Sequence, residues 1–404
     1  VSDIYQSNLI ATFHRLGSPR LEDLEAELVR LSRRYRLALV LPALYSEFEG
    51  DALPGILDQL PRASYVDDIV MVLGRAGPEQ FRHALTKLAR LPQKTHLICV
   101  DSPRIQQVLD AIRDAELYVG EDGKGRSVWL ACGYVLGLGT CDALALHDCD
   151  ILTYKPDLLA RLAYPVMNRN LGFEFVKGYY ARVTDKLYGR VTRLFISPLI
   201  RALIALVGHR PFLNYLDDFR YPLSGEMAMS TELARLNRIP AGWGLEVGTL
   251  AEVYRNLNPK RVCQVDLADN YEHKHQPLSP EDPEKGLLKM CVDISRSIFF
   301  TLSSEGVIFS EGLFRSLQVV YRRTAEDTIR KFAGDALING LTFDRHDEGK
   351  AVETFAHGLQ LGGEQFLADP TGAVQIPNWS RVADALPDIH ERLVAAVQED
   401  TAEA

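Results

Sequence analysis

A chain of 404 residues, 47% hydrophobic and 25% charged, has an ordinary globular composition, with length for two domains or one large domain with an extension. Its formal net charge of −9 excludes a general nucleic-acid binder, which would carry a basic excess, but permits local basic pockets for phosphate. The six cysteines (Cys99, Cys132, Cys141, Cys149, Cys263, Cys291) have no Cys-x-x-Cys spacing and suit buried reduced thiols, not a disulfide framework or a zinc knuckle.

After Ser18-Pro19, the spacing of Leu21, Leu24, Leu28 and Leu31 predicts an amphipathic helix, with acids early and arginines late to match its dipole. Leu37 to Leu44 reads as a buried strand that enters a loop at Pro42. Asp68 to Leu73 and Thr95 to Val100 repeat the theme, with helical segments between, so the first 150 residues alternate as a parallel sheet requires. Gly120-Glu-Asp-Gly123-Lys124-Gly125-Arg126 is a glycine-bracketed lysine at a helix start, where amides and an ammonium approach an anion closely. It is not a Walker loop, and an exposed lysine on a glycine turn explains it equally well.

The alternating run Asp142 to Leu146 ends in His147-Asp148-Cys149-Asp150. A strand that stops at Asp-x-Asp sets carboxylates at the carboxyl edge of a sheet, where α/β proteins bind ligands and where hard oxygens suit a divalent cation with a pyrophosphate. Leu171 to Lys177 reads as a further strand, and residues 185–207 as one or two helices. Within them, Tyr188-Gly189-Arg190-Val191-Thr192 offers a guanidinium fork and a hydroxyl suited to phosphate or carboxylate, against the plainer reading of a solvent-facing arginine. Leu194 to Val207 is apolar but holds Pro198 and Arg201 and is short for a membrane span, so a core helix is expected.

Leu223-Ser224-Gly225-Glu226 precedes a helix-like run from Met227 to Leu236; Ser224 either meets a ligand's hydroxyls or caps that helix with Glu226 in its first turn. Gly242 to Gly248 isolates Glu246 among glycines and apolar residues, where a carboxylate must be solvated, paired or used; a helix-start acid is the plain alternative. Val262 to Asp266 reads as a strand, followed by Tyr271-Glu-His273-Lys-His275, whose alternate histidines either complete a metal site begun by Asp150 or are surface residues. Residues 276–286 are rich in proline and charge, a domain boundary, and beyond them Ser316–Phe332 and Val382–Val397 have helical period.

In order, Pro42-Ala43-Leu44, Gly123-Lys124-Gly125, Asp148-Cys149-Asp150, Gly189-Arg190-Val191-Thr192, Pro222-Leu223-Ser224-Gly225-Glu226, Gly244-Leu245-Glu246-Val247-Gly248 and His273 resemble the glucosyl-3-phosphoglycerate synthases. The related mannosyl-3-phosphoglycerate synthases are close behind. The resemblance covers roughly residues 37–278 and implies an α/β, GT-A-like (Rossmann-like) fold: a nucleotide-sugar-binding part about 37–150 and an acceptor part about 151–278. A helical segment 1–36 precedes it and a mainly helical extension 279–404 follows. It implies a retaining transfer of a hexose, glucose favoured, from a nucleotide diphosphate sugar to the 2-hydroxyl of 3-phosphoglycerate, with Mg²⁺ or Mn²⁺, in a cytoplasmic homodimer without a membrane span. By position, Pro42, Ala43, Leu44 and Glu47 hold base and ribose, Lys124 lies near the nucleotide and Asp148 near the ribose. Asp150 and His273 bind the metal. Leu223, Ser224, Gly225 and Glu226 frame the donor sugar; Gly189, Arg190, Val191, Thr192 and His275 receive the acceptor; and Glu246 orients acceptor or sugar.

Leu73-Gly-Arg-Ala-Gly77 and Leu44-Tyr-Ser-Glu47 depart from that family's usual polar loops, which leaves the base open among UDP, GDP and ADP. Other readings are mannose as the sugar, glycerate or a lipid phosphate as acceptor, a haloacid-dehalogenase-type phosphatase built on Asp148-Cys-Asp150, or a non-catalytic nucleotide-sugar-binding regulator.

Overall fold

The computed structural model describes residues 6, 9–17, 20–240, 242, 244–272, 278–279, 282, 285–371 and 375–404. Its strands are β1 (Ala11–Phe13), β2 (Leu37–Leu44), β3 (Asp68–Gly74), β4 (Lys94–Cys99), β5 (Ala143–Leu146), β6 (Phe175–Tyr180), β7 (Met227–Ser230), β8 (Ile239–Pro240), β9 (Val262–Ala268) and β10 (Gln375–Ile376). Eight of them form one sheet in the order β1-β9-β6-β7-β5-β2-β3-β4, while β8 and β10 pair apart from it. Neighbours in the sheet run parallel except where β7 meets β5 and β6. This is the α/β, GT-A-like arrangement expected, and its β4-β3-β2-β5 half has the order of a nucleotide-binding unit, with the chain's direction of winding reversing between β2 and β5.

Strand alternation divides the interior in two. Ala38 and Val40 of β2 join one buried cluster, and Leu37, Leu39, Leu41 and Ala43 join the other. The second cluster holds residues of the helices Leu21–Ser32, Ala52–Gln59, Pro78–Leu88 and Pro156–Met167. The first takes Lys124–Leu138, Leu245–Asn256 and the late helices Gly286–Ser304, Glu311–Ile338, Arg345–Ala368, Trp379–Ala385 and Ile389–Glu403. The late helices therefore share a core with one face of the sheet. Trp129 and Trp379 fasten them: the rings stack with centroids 4.3 Å apart. Trp129 Nε1 donates to Pro377 O and Trp379 Nε1 to Trp129 O, each at 2.8 Å.

Several expectations need correction. Pro42 does not end β2, which continues to Leu44. Val40 O accepts from His147 N, so Val40 and, by alternation, Pro42 face β5; β5 has already ended there and no ladder bond to Pro42 is needed. The run Met227–Leu236 is a strand and then a helix, Thr231–Leu236, because it pairs between β5 and β6 before Ser230 caps the helix. Ser224 is accordingly no helix cap; its Oγ accepts from Glu226 N at 3.1 Å in a tight turn. The strand expected from Leu171 begins at Phe175 and runs to Tyr180. The late helix expected at 382–397 is broken around Pro387, which cannot continue it. The strand β1, three residues long, went unread because it is too short to show a period.

Among the described residues no helix is long and apolar enough to cross a membrane. All six cysteines are unpaired, five of them buried. Truncating the buried Trp379 removes a large side chain and its hydrogen bond to the Trp129 carbonyl. Trp379→Ala is expected to lower unfolding free energy by ~3–5 kcal/mol in urea titrations.

Candidate active site

The candidate site assembles at the carboxyl edge of the sheet, because the reversed β7 enters the sheet at the edge where the parallel strands leave it. Asp148 and Asp150 follow β5, the turn Ser224–Glu226 leads into β7, and Tyr271 follows β9. Lys124 and Glu246 stand in the first turns of the helices Lys124–Leu138 and Leu245–Asn256. Lys124 Nζ lies 2.6 Å from Asp148 Oδ1 and 3.2 Å from Glu246 Oε1. Burial opposes its charge, but the two carboxylates outweigh that and raise its pKa above the usual lysine range.

Gly225 is demanded by close approach. A Cβ built there would lie 2.2 Å from Asp148 Oδ2 and 2.7 Å from Asp148 Cγ, so any side chain would displace the carboxylate that Lys124 holds. Beneath it Glu226 is fully buried. Its carboxylate meets His147 Nδ1, accepts from Asp148 N at 3.2 Å and from Tyr271 Oη at 2.7 Å. Tyr271 in turn stacks on Tyr180 with centroids 3.6 Å apart. Both Glu226 oxygens are thus taken, and it braces the turn from below instead of facing the cleft. Burial pushes the His147 imidazole down to about 4.

Lys177, inside β6, is 1% exposed and donates to Ser224 O at 2.5 Å. Burial pushes its ammonium down to about 7, against the attraction of Glu246. A lysine within an apolar strand was the signal in the sequence, and it was passed over. His147 and Tyr271 were also missed.

Of the residues expected at the nucleotide, Pro42 and Ala43 lie near the end of β2, Leu44 is exposed, and Glu47 lies in the 3₁₀ turn Tyr45–Glu49. Tyr45 Oη meets His83 Nδ1 at 3.1 Å, so an aromatic cluster of Tyr45, Phe48 and His83 stands beside this loop. The divergent loop after β3 carries Arg75 in the left-handed region (φ 56°), with Nε 3.4 Å from Asp122 in the Lys124 loop.

The Gly189–Thr192 group lies on a different segment. Gly189 has φ 71°, a left-handed turn that starts the helical run through Val207, and Arg190 follows it. The run opens as a π-helical stretch, Val191–Ile196, a distortion common at functional sites. Thr192 Oγ1 is buried and meets no partner among the described residues, whereas Val191 packs into the core. Arg190 Nε donates to Glu348 Oε1 at 2.8 Å, a contact 158 positions away that no local pattern announces.

The expected metal pair is only half visible. Asp150 is partly buried beyond β5; His273, His275 and Trp243 lie outside the described residues, as do Ser18 and Pro19. Leu152 N donates to Glu272 O at 2.8 Å and Glu272 N to Thr153 Oγ1 at 3.0 Å, so the residue before His273 is pinned to the Asp150 loop. A hard carboxylate donor fits Mg²⁺ or Mn²⁺, while burial raises the neighbouring Cys149 thiol well above its usual range and removes it as a soft ligand. No group of three metal-ligating side chains forms among the described residues.

No family profile matches the chain. The glucosyl-3-phosphoglycerate synthase of Persephonella marina is 46% identical to it over 403 residues, covering 100% of each chain. That of Methanococcoides burtonii is 38% identical over 409 residues, 99% of this chain and 98% of the relative. Among solved structures, the glucosyl-3-phosphoglycerate synthase of Mycobacterium tuberculosis in complex with Mg²⁺ and UDP is 26% identical with a TM-score of 0.53, covering 75% of this chain and 89% of that one. The same enzyme with Mn²⁺, UDP-glucose and phosphoglyceric acid is 25% identical, TM-score 0.53, over 74% and 89%.

Lys177 supplies a test of the buried edge. Its folded pKa of about 7 lies below the ordinary ~10.4 of an unfolded chain, so between those values the unfolded state binds the extra proton and stability rises with pH. The contribution is complete above the unfolded value and lost as pH falls through 7. Unfolding free energies of wild type and Lys177→Met should therefore diverge in favour of wild type by up to ~1.4 kcal/mol per pH unit across that window, and stay parallel below it.

Proposed function

This chain belongs to the glucosyl-3-phosphoglycerate synthase family, and on that premise we infer that it transfers glucose from UDP-glucose to the 2-hydroxyl of 3-phosphoglycerate with retention. The observation that carries the reading on the chain's own residues is the Lys124 ammonium shared by Asp148 and Glu246 at the sheet's carboxyl edge. Membership in this family sets aside the phosphatase and regulator readings, and glucose takes precedence over mannose. The relatives' complexes with UDP-glucose and UDP favour uracil as the base.

In this proposal Pro42, Ala43, Leu44 and Glu47 receive base and ribose, with Asp148 on the ribose side. Leu223, Ser224 and Gly225 wall the donor sugar. Lys124 faces the diphosphate from a helix N-terminus, a position that favours anions. Asp150 and His273 would hold Mg²⁺ or Mn²⁺, which would supply Lewis-acid stabilisation of the departing diphosphate's charge. Gly189, Arg190 and Thr192 bind the acceptor's phosphate or carboxylate, with the unpartnered Thr192 hydroxyl as a ready donor and His275 assisting. Glu246, fixed by Lys124, orients the acceptor or the sugar.

Retention without an evident paired-carboxylate nucleophile favours a front-face route, in which the leaving phosphate oxygen takes the acceptor hydroxyl's proton. A trapped glycosyl-Glu246 adduct would overturn it. Residues 37–278 would form the catalytic unit, preceded by 1–36, with 279–404 as an extension. We propose a homodimer on the family resemblance, and a cytoplasmic location on the six unpaired cysteines.

Incubation with Mg²⁺, 3-phosphoglycerate and UDP-, GDP- or ADP-linked glucose and mannose tests the reading by mass spectrometry. A hexosyl-3-phosphoglycerate peak is expected with UDP-glucose and lost in Asp150→Ala. Its absence for every donor, with UDP-glucose binding intact, would mean a different acceptor.

A further inference from the structure

The extension has a place in this site. Glu348, in the first turn of Arg345–Ala368, is 4% exposed, and its carboxylate forks between two guanidiniums. Oε1 accepts from Arg190 Nε at 2.8 Å and Oε2 from Arg193 Nη1 at 2.9 Å. Arg193 is itself buried; it donates to Tyr188 O at 2.9 Å and Leu187 O at 3.3 Å, and packs 4.8 Å over the Phe332 ring of the long helix. A second tie lies across the same loop, where Thr342 N donates to Asp185 O at 2.8 Å. Residues 185–190 are thus held from the extension at both ends.

We propose that Glu348 is a positioning residue for the acceptor, holding Arg190 by its Nε so that the two Nη groups face the anionic end of 3-phosphoglycerate. The proposal rests on Arg190 being an acceptor ligand. A long arginine side chain has several rotamers to lose on binding, and a carboxylate that fixes it beforehand removes that cost. The charge inventory agrees. Two guanidiniums against one carboxylate leave a net positive charge beside Thr192, at the start of the helical run. An unpaired buried Glu348 would be costly, and Arg193, with its three protein acceptors, pairs with it and holds it in place. The extension would therefore set the affinity for the acceptor while leaving donor binding alone.

Steady-state kinetics with both substrates varied, on Glu348→Gln and Arg190→Lys in the full chain, tests this. Both variants should raise KM for 3-phosphoglycerate about tenfold or more, the effect of losing one charge-assisted hydrogen bond, with KM for UDP-glucose within about twofold. A wild-type KM for 3-phosphoglycerate in Glu348→Gln beside a raised one in Arg190→Lys overturns the role of Glu348 and keeps Arg190 as ligand. No change in Arg190→Lys instead removes the underlying acceptor assignment, and the proposal with it. If Glu348→Gln loses UDP-glucose binding and cooperative melting, Glu348→Asp decides: it keeps the charge but is one methylene too short for the fork. A selective rise in acceptor KM supports positioning. Unchanged kinetics, or loss of donor and acceptor binding together, makes the contact purely structural and overturns it.

Discussion

Two carboxylates drawn to one cleft at the end of a sheet repel each other, and the Lys124 ammonium is what allows Asp148 and Glu246 to stand there together. The lysine is itself badly placed by local criteria, because a cation in the first turn of a helix opposes the helix dipole. Glu246, in the first turn of its own helix, is well placed. The arrangement is therefore stable only as a set drawn from three elements that meet at one edge: the exit of β5 and two helix starts. A bound diphosphate would find the lysine and the amides of that helix start already directed toward it.

The reversal of β7 makes this set possible. It brings Gly225 against Asp148 and lowers Glu226 into the sheet, where that carboxylate ties together the exit of β5 through His147 and Asp148 and the exit of β9 through Tyr271. A buried carboxylate is tolerated when its oxygens are satisfied, and these are. Lys177 holds the other side of the same turn through Ser224 O. The cleft surface is thus specified from beneath, by groups that face no solvent.

Features with a short period were legible in the sequence. The strands at 37, 68, 95 and 143, the lysine at a helix start and the aspartates at a strand end all follow from patterns a few residues long, and the structure keeps each of them. Ser224-Gly-Glu226 followed by an apolar run was ambiguous for a physical reason: a capping serine with an acid in the next turn and a tight turn into a buried strand look alike locally. Only the partner strands β5 and β6 decide between them. Glu348 was beyond reach, since nothing within one helix marks which of its acids meets an arginine on a distant segment. Residues 273–277, which carry both histidines of the proposed metal and acceptor sets, lie outside the described residues; Glu272 just before them is tied to Leu152 and Thr153.

The Lys124 and Glu348 clusters are charged in opposite senses, and each by the same device of sharing. At the sheet edge one ammonium serves Asp148 and Glu246, which leaves that trio a net negative charge, increased by Asp150 next to it. A divalent cation suits such a surplus, and a diphosphate suits the cation. At the proposed acceptor site one carboxylate serves Arg190 and Arg193, which leaves a net positive charge, suited to a phosphorylated acid. Full neutralisation on either side would remove the attraction, and no neutralisation would drive the like charges apart before a ligand arrived. A shared counter-ion satisfies both demands, and that of Arg190 and Arg193 comes from the late helices. That is a physical reason for the catalytic sheet and the extension to share one core: a displacement of a few tenths of an ångström between them would be felt directly at Arg190.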